Sequence, residues 1–352
     1  MEKEIRLLIV DDSPVVRKIL TKALDNKYGI HVVGSAEDPY QARDMIVNLK
    51  PDVISLDVEM PKMDGLTFLH KIMTYFPVPT IIVSSITQEG SSNALKALDL
   101  GAIAVVAKPD QNSVGDSVIE ELIHNIHLAS KIDIHQFKKK NAKKQDVIPS
   151  KLSYASTPSI PKIIAIASST GGVEALRVVL PQFPENSPGI LVVQHMPPVF
   201  TKSLANTLDQ ICACQVKEAE NGDIVKNGHI FIAPGDFHML LNKSDNGGYF
   251  VSLKQGPPVC YQRPAADVLF QSVARAAGKY AVGVVLTGMG SDGTAGSKAM
   301  KECGSVIIAQ DEPTSVVYGM PKSVFESGVV DNVLPLQDIP KKVLETCAQI
   351  RN

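Results

Sequence analysis

The stretch "IIAIASSTGG", residues 163–172, decides how the larger part of the chain is read. An apolar run of β-type residues ends abruptly in Ser168, Ser169 and Thr170, and Gly171 and Gly172 open the helical pattern "GVEALRVVL". A strand that turns straight into a helix is the corner of a parallel α/β unit. The corner has three chemical readings: a nucleophilic hydroxyl, a phosphate cradle, or a plain polar turn. Backbone N–H groups at a helix start serve a phosphate and a tetrahedral oxyanion equally well. The stretch is not G-x-G-x-x-G, lacks the lysine of a Walker loop, and is not G-x-S-x-G. Taken alone it leaves the readings open.

Moving outward, "KIIAIAS", "GILVVQH", "HIFIAP", "AVGVVLTG" and "SVIIAQ" have the length and apolar continuity of buried strands. "GVEALRVVL", "TKSLANTLDQI", "AADVLFQSVARAAG" and "TAGSKAMKEC" carry apolar residues at helical spacing. "FHMLLNKSDNGGYFVSLKQ" predicts a β-hairpin turning at Asp245-Asn246-Gly247-Gly248. Two further strand ends bear chemistry. "VVQHMPP" sets His195 after one strand, and "VVLTGMGSDG" sets Asp292 in a glycine-rich loop after another. Three strand ends on one sheet edge are able to bring a hydroxyl, an imidazole and a carboxylate together. The imidazole would take the hydroxyl proton and the carboxylate would fix its tautomer. Each residue also has a plainer reading, since a histidine after a strand is often structural and Asp in Ser-Asp-Gly is a common turn former.

The first part of the chain repeats the alternation. "IRLLIV", "IHVVG", "DVISLD", "TIIVSS" and "AVVA" are strand-like, separated by four helical patterns and followed by a fifth, "VIEELIHNIHLASKI". The pattern predicts a parallel sheet covered on both faces. Asp11 and Asp12 end the first strand, Asp57 the third and Ser84 the fourth, while Lys108 follows the fifth just before Pro109. In an open parallel sheet these positions share the ligand-binding edge. Three converging carboxylates repel one another without a cation, and an oxygen-only site suits Mg²⁺. Ser84 and Lys108 supply a hydroxyl and an ammonium for a phosphoryl group on Asp57. A single aspartate after a strand is usually a helix cap, but five positions falling on one rim argue for a site.

Between the two parts, residues 131–160 hold seven lysines against two aspartates and then Ser, Thr and Pro. This predicts a solvated tether, so the expected division is 1–126, a linker at 127–160, and 161–352. The 352 residues themselves favour two domains. With 44% hydrophobic and 20% charged residues the chain is globular, and a net charge of −2 gives no reason to expect nucleic acid. The five cysteines form no C-x-x-C pair, so free thiols in a reducing compartment are expected. The first residues resemble no signal peptide and no apolar run is long enough to span a bilayer, which predicts a cytoplasmic protein without membrane insertion.

The order "IVDDS", "SLDVEMPKMDG", "VSS" and "AKP" closely resembles the receiver domain of two-component response regulators. The resemblance implies a flavodoxin-like fold, phosphorylation of Asp57 by a partner histidine kinase, and Mg²⁺ held by Asp11, Asp12 and Asp57. One position departs from it: receivers often carry an aromatic switch residue three places before the lysine, where this chain has Val105. "ASSTGG", "QHMPP", "KEAENGD", "HIFIAPGDFHM", "GPPVCYQRPAADVLFQSVA", "LTGMGSDG" and "IAQDEPTSVVYGMP" resemble the catalytic domain of the chemotaxis methylesterase family, protein-glutamate methylesterases. This implies a Rossmann-like parallel-sheet hydrolase domain with the hairpin inserted. It further implies Ser169 as nucleophile, with Ser168 the runner-up, His195 as base and Asp292 as its orienter. Met289 would be an oxyanion donor, with Thr170 and Gly171 lining the corner. The implied reaction hydrolyses glutamyl methyl esters, and deamidates glutamines, on the cytoplasmic helices of methyl-accepting chemotaxis receptors. No cofactor is implied for the esterase step. In the family the unphosphorylated receiver covers the catalytic face. Two other classes compete: a non-catalytic, receiver-regulated binding output, and a DNA-binding output. The intact serine, histidine and aspartate weigh against the first. The charge and the missing recognition helix weigh against the second.

Overall fold

The computed structural model describes residues 4–60, 63–85, 87–109, 116–135, 137, 152–154 and 161–350. The chain divides into two compact units, Met1–Lys143 and Lys144–Asn352. The stretches of the expected linker at 138–151 and 155–160 lie outside the described residues.

In the first unit the elements alternate: β1 (Ile5–Val10), α1 (Pro14–Leu24), β2 (Ile30–Ala36), α2 (Pro39–Leu49), β3 (Val53–Leu56), α3 (Gly65–Tyr75), β4 (Thr80–Ser84), α4 (Gln88–Asp99), β5 (Ala104–Ala107) and α5 (Asp116–Ala129). All five strands are parallel in the order β2-β1-β3-β4-β5. Each of the first four helices has a side-chain N-cap: Ser13, Asp38, Asp64 and Thr87 accept from backbone N–H groups of the first turn. Pro14 and Pro39 stand at the first helical position, where no N–H is needed. Of the expected linker, residues up to Ala129 are in α5, and Ile134 and Phe137 are buried.

The second unit has a seven-stranded sheet, a three-stranded sheet and helices. Its elements run β6 (Ile163–Ser168), α6 (Gly172–Val179), β7 (Gly189–Gln194), α7 (Phe200–Asp209), β8 (Gln215–Glu218), β9 (Ile224–Val225), β10 (His229–Ile232), β11 (His238–Lys243) and β12 (Tyr249–Lys254). Then follow α8 (Ala266–Ala277), β13 (Ala281–Val285), α9 (Thr294–Glu302), β14 (Val306–Gln310), α10 (Met320–Glu326), β15 (Asn332–Leu334) and α11 (Ile339–Gln349). The large sheet is parallel, in the order β15-β14-β13-β6-β7-β10-β8. Every residue of β6, β7 and β13 is buried, as continuous apolar runs require when helices cover both faces. One face of β6 and β7 (Ile163, Ala165, Ala167, Leu191, Val193) packs with Leu269, Phe270 and Val273 of α8 and with Met239, Leu241 and Val251 of the predicted hairpin. Full burial of each such Leu, Ile or Phe stabilises the unit by roughly 1.5–3 kcal/mol. The hairpin is β11 and β12, antiparallel, joined across Ser244 and Gly248, with β9 on its open side.

In both sheets the strand order reverses beside the first strand, between β1 and β3 and between β6 and β13. Crevices outside the carboxyl ends of the strands form at such points.

Candidate active site

Ser169 leaves the end of β6 and His195 the end of β7, its neighbour in the ladder. The N–H of His195 donates to the carbonyl of Ser168 at 3.2 Å, carrying the strand pairing one step past β7. On the other side, the loop after β13 closes on the serine. The Ser169 N–H donates to Thr287 O at 3.1 Å. A Cβ on Gly288 would stand 2.8 Å from the Ser169 Cβ, so only glycine allows this approach. Gly171 has φ +75°, and a Cβ there would stand 2.6 Å from the Val316 Cβ. The turn into α6 therefore needs glycine for its backbone and for its packing alike.

Asp292 stands in the same loop after β13. Its Oδ2 lies 2.7 Å from His195 Nε2, and both side chains are almost fully buried. Three backbone N–H groups also donate to this carboxylate: Ala266 (2.6 Å), Asp267 (2.9 Å) and Gly293 (2.9 Å). Helix α8 has no side-chain cap of its own. Asp292 caps it from outside, and the helix dipole favours the negative charge there. Burial pushes the carboxyl upward, but the bond and charge of His195 and the N–H groups of Asp267 and Ala266 outweigh it. Asp292 is held below the ordinary carboxylate range.

The expected nucleophile, base and orienter thus share one sheet edge, although Ser169 Oγ makes no hydrogen bond among the described residues. Catalytic bonds are often long before substrate binds. With Nε2 given to Asp292, Nδ1 is the imidazole nitrogen left for a proton from the serine. This is the reverse of the nitrogen assignment in the chymotrypsin template. The N–H groups of Thr170 and Met289 have no hydrogen-bond partner among the described residues. They remain available to an oxyanion. Ser168, the runner-up, is fully buried and its hydroxyl donates to Gln194 Oε1 at 2.7 Å.

Cys260, Asp267 and Asp292 have ligand atoms within 4.8 Å of one another. Burial, then the Asp292 and Asp267 carboxylates, push the Cys260 thiol up to about 11, and both Asp292 oxygens already accept hydrogen bonds. A protonated thiol beside a satisfied carboxylate is a poor metal site. Sequence reasoning assigned nothing to Cys260, Asp267 or Gln194. The one available signal was a polar residue closing the apolar run "GILVVQ".

In the first unit the ladder likewise gathers the rim. Asp11 N–H donates to Ala36 O, Asp57 N–H to Val10 O, and Lys108 N–H to Ser84 O. Lys108 Nζ donates to Asp57 Oδ2 at 2.7 Å. It also lies 3.2 Å from Asp11 Oδ2, an ion contact without hydrogen-bond alignment, so that oxygen has no hydrogen-bond donor. Asp57 Oδ1 accepts from Glu59 N–H and Asp11 Oδ1 from Ser13 N–H. Burial pushes Asp57 up to about 6, against the Lys108 and Glu59 hydrogen bonds, and the Asp11 charge adds to the rise. Carboxylate oxygens of Asp11, Asp12 and Asp57 lie within 4.8 Å of one another, which fits an oxygen-seeking divalent cation. Ser84 Oγ is buried with no hydrogen-bond partner. Val105, at the position often aromatic in receivers, is buried in β5.

The comparisons with known proteins agree with both halves. Residues 164–343 match the CheB methylesterase family and residues 7–119 the response regulator receiver domain. A protein-glutamate methylesterase/protein-glutamine glutaminase of Syntrophus aciditrophicus is 49% identical over 97% of this chain and 98% of its own. One from Bdellovibrio bacteriovorus is 47% identical over 100% of this chain and 99% of its own. Among solved structures, the Thermotoga maritima CheB methylesterase catalytic domain is 48% identical, with TM-score 0.51, covering 53% of this chain and 98% of that one. The chain belongs to the CheB methylesterase family, with a response regulator receiver domain preceding its methylesterase domain.

Proposed function

We propose that the protein is a phosphorylation-activated serine esterase. It hydrolyses glutamyl methyl esters, and deamidates glutamines, on the cytoplasmic helices of chemotaxis receptors, and so serves chemotactic adaptation. The observation that carries the reading is the His195–Asp292 pair, buried and anchored on α8 beside the Ser169 corner. Ser169 Oγ attacks the side-chain carbonyl while its proton passes to His195 Nδ1. Asp292 stays ionised, holds Nε2–H and stabilises the imidazolium. The tetrahedral oxyanion is received by the N–H groups of Thr170 and Met289, with Gly171 shaping the turn beside them. The C–O bond to methoxide breaks, methanol leaves with the proton from His195, and a glutamyl ester of Ser169 remains. Water, deprotonated by the same imidazole, then releases glutamate and restores the hydroxyl. With an amide substrate, ammonia leaves instead.

Control comes from the receiver. Asp57 accepts a phosphoryl group from a histidine kinase, Ser84 and Lys108 meet its oxygens, and Asp11, Asp12 and Asp57 hold Mg²⁺. When bound, the cation offsets the charge of phosphate and carboxylates. Cytoplasmic location follows from the receptor helices and the kinase as partners. Among the described residues no helix is long and apolar enough to cross a membrane.

The test is methanol release from methylated receptor membranes, with and without a small-molecule phosphodonor and Mg²⁺. Release that rises on phosphorylation and vanishes in Ser169→Ala is expected. No release from folded protein in either state overturns the reading.

A further inference from the structure

Gln194, the last residue of β7, is 3% exposed, and its carboxamide touches both halves of the proposed active site. Nε2 donates to the carbonyl of Ser169 at 3.0 Å and to the carbonyl of His195 at 3.1 Å. Oε1 accepts from Ser168 Oγ at 2.7 Å. The amide orientation is forced by chemistry: two carbonyl oxygens face one end, and only the NH₂ group satisfies them. The Ser168 hydroxyl is therefore the donor at the other end. Its proton is committed, which explains a fully buried serine beside the half-buried corner. The fit is tight as well. A Cβ on Gly172, the first residue of α6, would stand 2.1 Å from Gln194 Oε1.

We propose that Gln194 is a positioning residue, a clamp that fixes the peptide groups of Ser169 and His195 relative to each other. The inference rests on reading Ser169 as nucleophile and His195 as base. The two residues come from neighbouring strands, and past the strand ends a single N–H bond holds each to its neighbour: Ser169 N–H to Thr287 O and His195 N–H to Ser168 O, while the Ser169 carbonyl also accepts from Gly172 N–H. Gln194 adds a bond to each carbonyl and ties both to Ser168. Ser168 sets the amide from below, and Gln194 passes that constraint to the reacting pair. Misplacing a reacting group by about 1 Å costs on the order of 100-fold in rate.

The experiment compares Gln194→Met, Gln194→Glu, Ser168→Ala and Ser169→Ala on one methylated receptor preparation. Rates are corrected for the folded fraction from thermal unfolding. Gln194→Met, close in volume and without the amide, is expected to lower kcat about 100-fold with KM within about twofold. Ser168→Ala keeps both Nε2 contacts and is expected to retain most of its activity, with kcat within about twofold of wild type. Gln194→Glu sets a carboxylate against two carbonyl oxygens, which raises its pKa. Protonation returns one donor, so its rate relative to wild type is expected to rise as pH falls. A purely volume-filling side chain has no reason to show that profile. Folded Gln194→Met with wild-type kcat, beside inactive Ser169→Ala, overturns the clamp alone. An active Ser169→Ala overturns the underlying assignment and the clamp with it. If Gln194→Met does not fold, a pH-independent ratio for Gln194→Glu overturns the proposal.

Discussion

Asp57 and Asp292 are both buried carboxylates at the reversal point of a parallel sheet, yet they are driven in opposite directions. Burial pushes Asp57 up to about 6; Asp292 is held below its ordinary range although burial acts on it in the same sense. The difference is in the donors. Asp57 accepts from one backbone N–H and from Lys108 and has Asp11 as a repelling neighbour, whereas Asp292 accepts from three backbone N–H groups and His195. A carboxylate with spare acceptor capacity beside another carboxylate suits a cation and a reaction at its own oxygen. One with every lone pair engaged suits holding another group still. Twofold use of one fold class thus rests on how completely a strand-end aspartate is satisfied.

Ser169→Ala is expected to reduce methyl-ester hydrolysis by roughly 10⁴–10⁶-fold, while Ser168→Ala keeps most activity. The reverse result in a methanol-release assay moves the nucleophile to Ser168. Next comes the orienter: Asp292→Asn is expected to lower kcat on the order of 10⁴-fold, because Nε2–H loses its acceptor and the tautomer is no longer fixed. The same change in the receiver, Asp57→Asn, leaves basal hydrolysis within about twofold. Equal losses in the two variants would show that the two aspartates do not act differently on hydrolysis.

Linkage sharpens the difference between the two aspartates. A folded pKa raised above the unfolded one means the native state binds the proton more readily, so stability falls as pH rises between the two values. In chelated buffer, Asp57→Asn is therefore expected to stabilise the receiver at pH 7 by up to about 3 kcal/mol. The gain shrinks as pH falls from about 6 toward 4. For Asp292 the sign is opposite: its contribution is present above the ordinary carboxylate range and is lost as pH falls below it. Denaturant unfolding across pH reads both, and an Asp57→Asn gain independent of pH contradicts the burial argument. The smallest expected effect is regulatory. Coupling of roughly 5–150-fold between phosphodonor and esterase rate is ordinary for such devices, and Asp57→Asn should abolish it. Activation that persists in the variant places the phosphoryl group elsewhere.

Much of this was legible in the residues because strand ends in a parallel sheet are local features. Continuous apolar runs mark β1, β3, β4, β6, β7 and β13, and the polar residue that closes each run falls at the binding edge. Asp11, Asp12, Asp57, Ser84 and His195 stand at or just past such ends and Lys108 just past β5. Asp292, by contrast, lies in the glycine-rich loop beyond β13, and the choice of Ser169 over Ser168 came from the family resemblance. The short strands β8, β9 and β15 were not: "QVKE", "IV" and "NVL" are too brief and too mixed to show a period. They are strands because a neighbour supplies the ladder.

By itself, then, the sequence determined two α/β units, the edge on which each carries its chemistry, and the residue types available there. Those follow from hydrophobic period and turn chemistry, which act over a few neighbouring residues. Tertiary structure alone decided that Asp292 caps α8, some twenty-five residues before it in the chain, and that Nε2 rather than Nδ1 of His195 is held. It alone decided that the Ser168 proton belongs to Gln194 and that the pKa values of Asp57 and Asp292 move in opposite directions. Each depends on which distant donor or acceptor packing brings within 3 Å or so of a buried oxygen, and no local pattern records that.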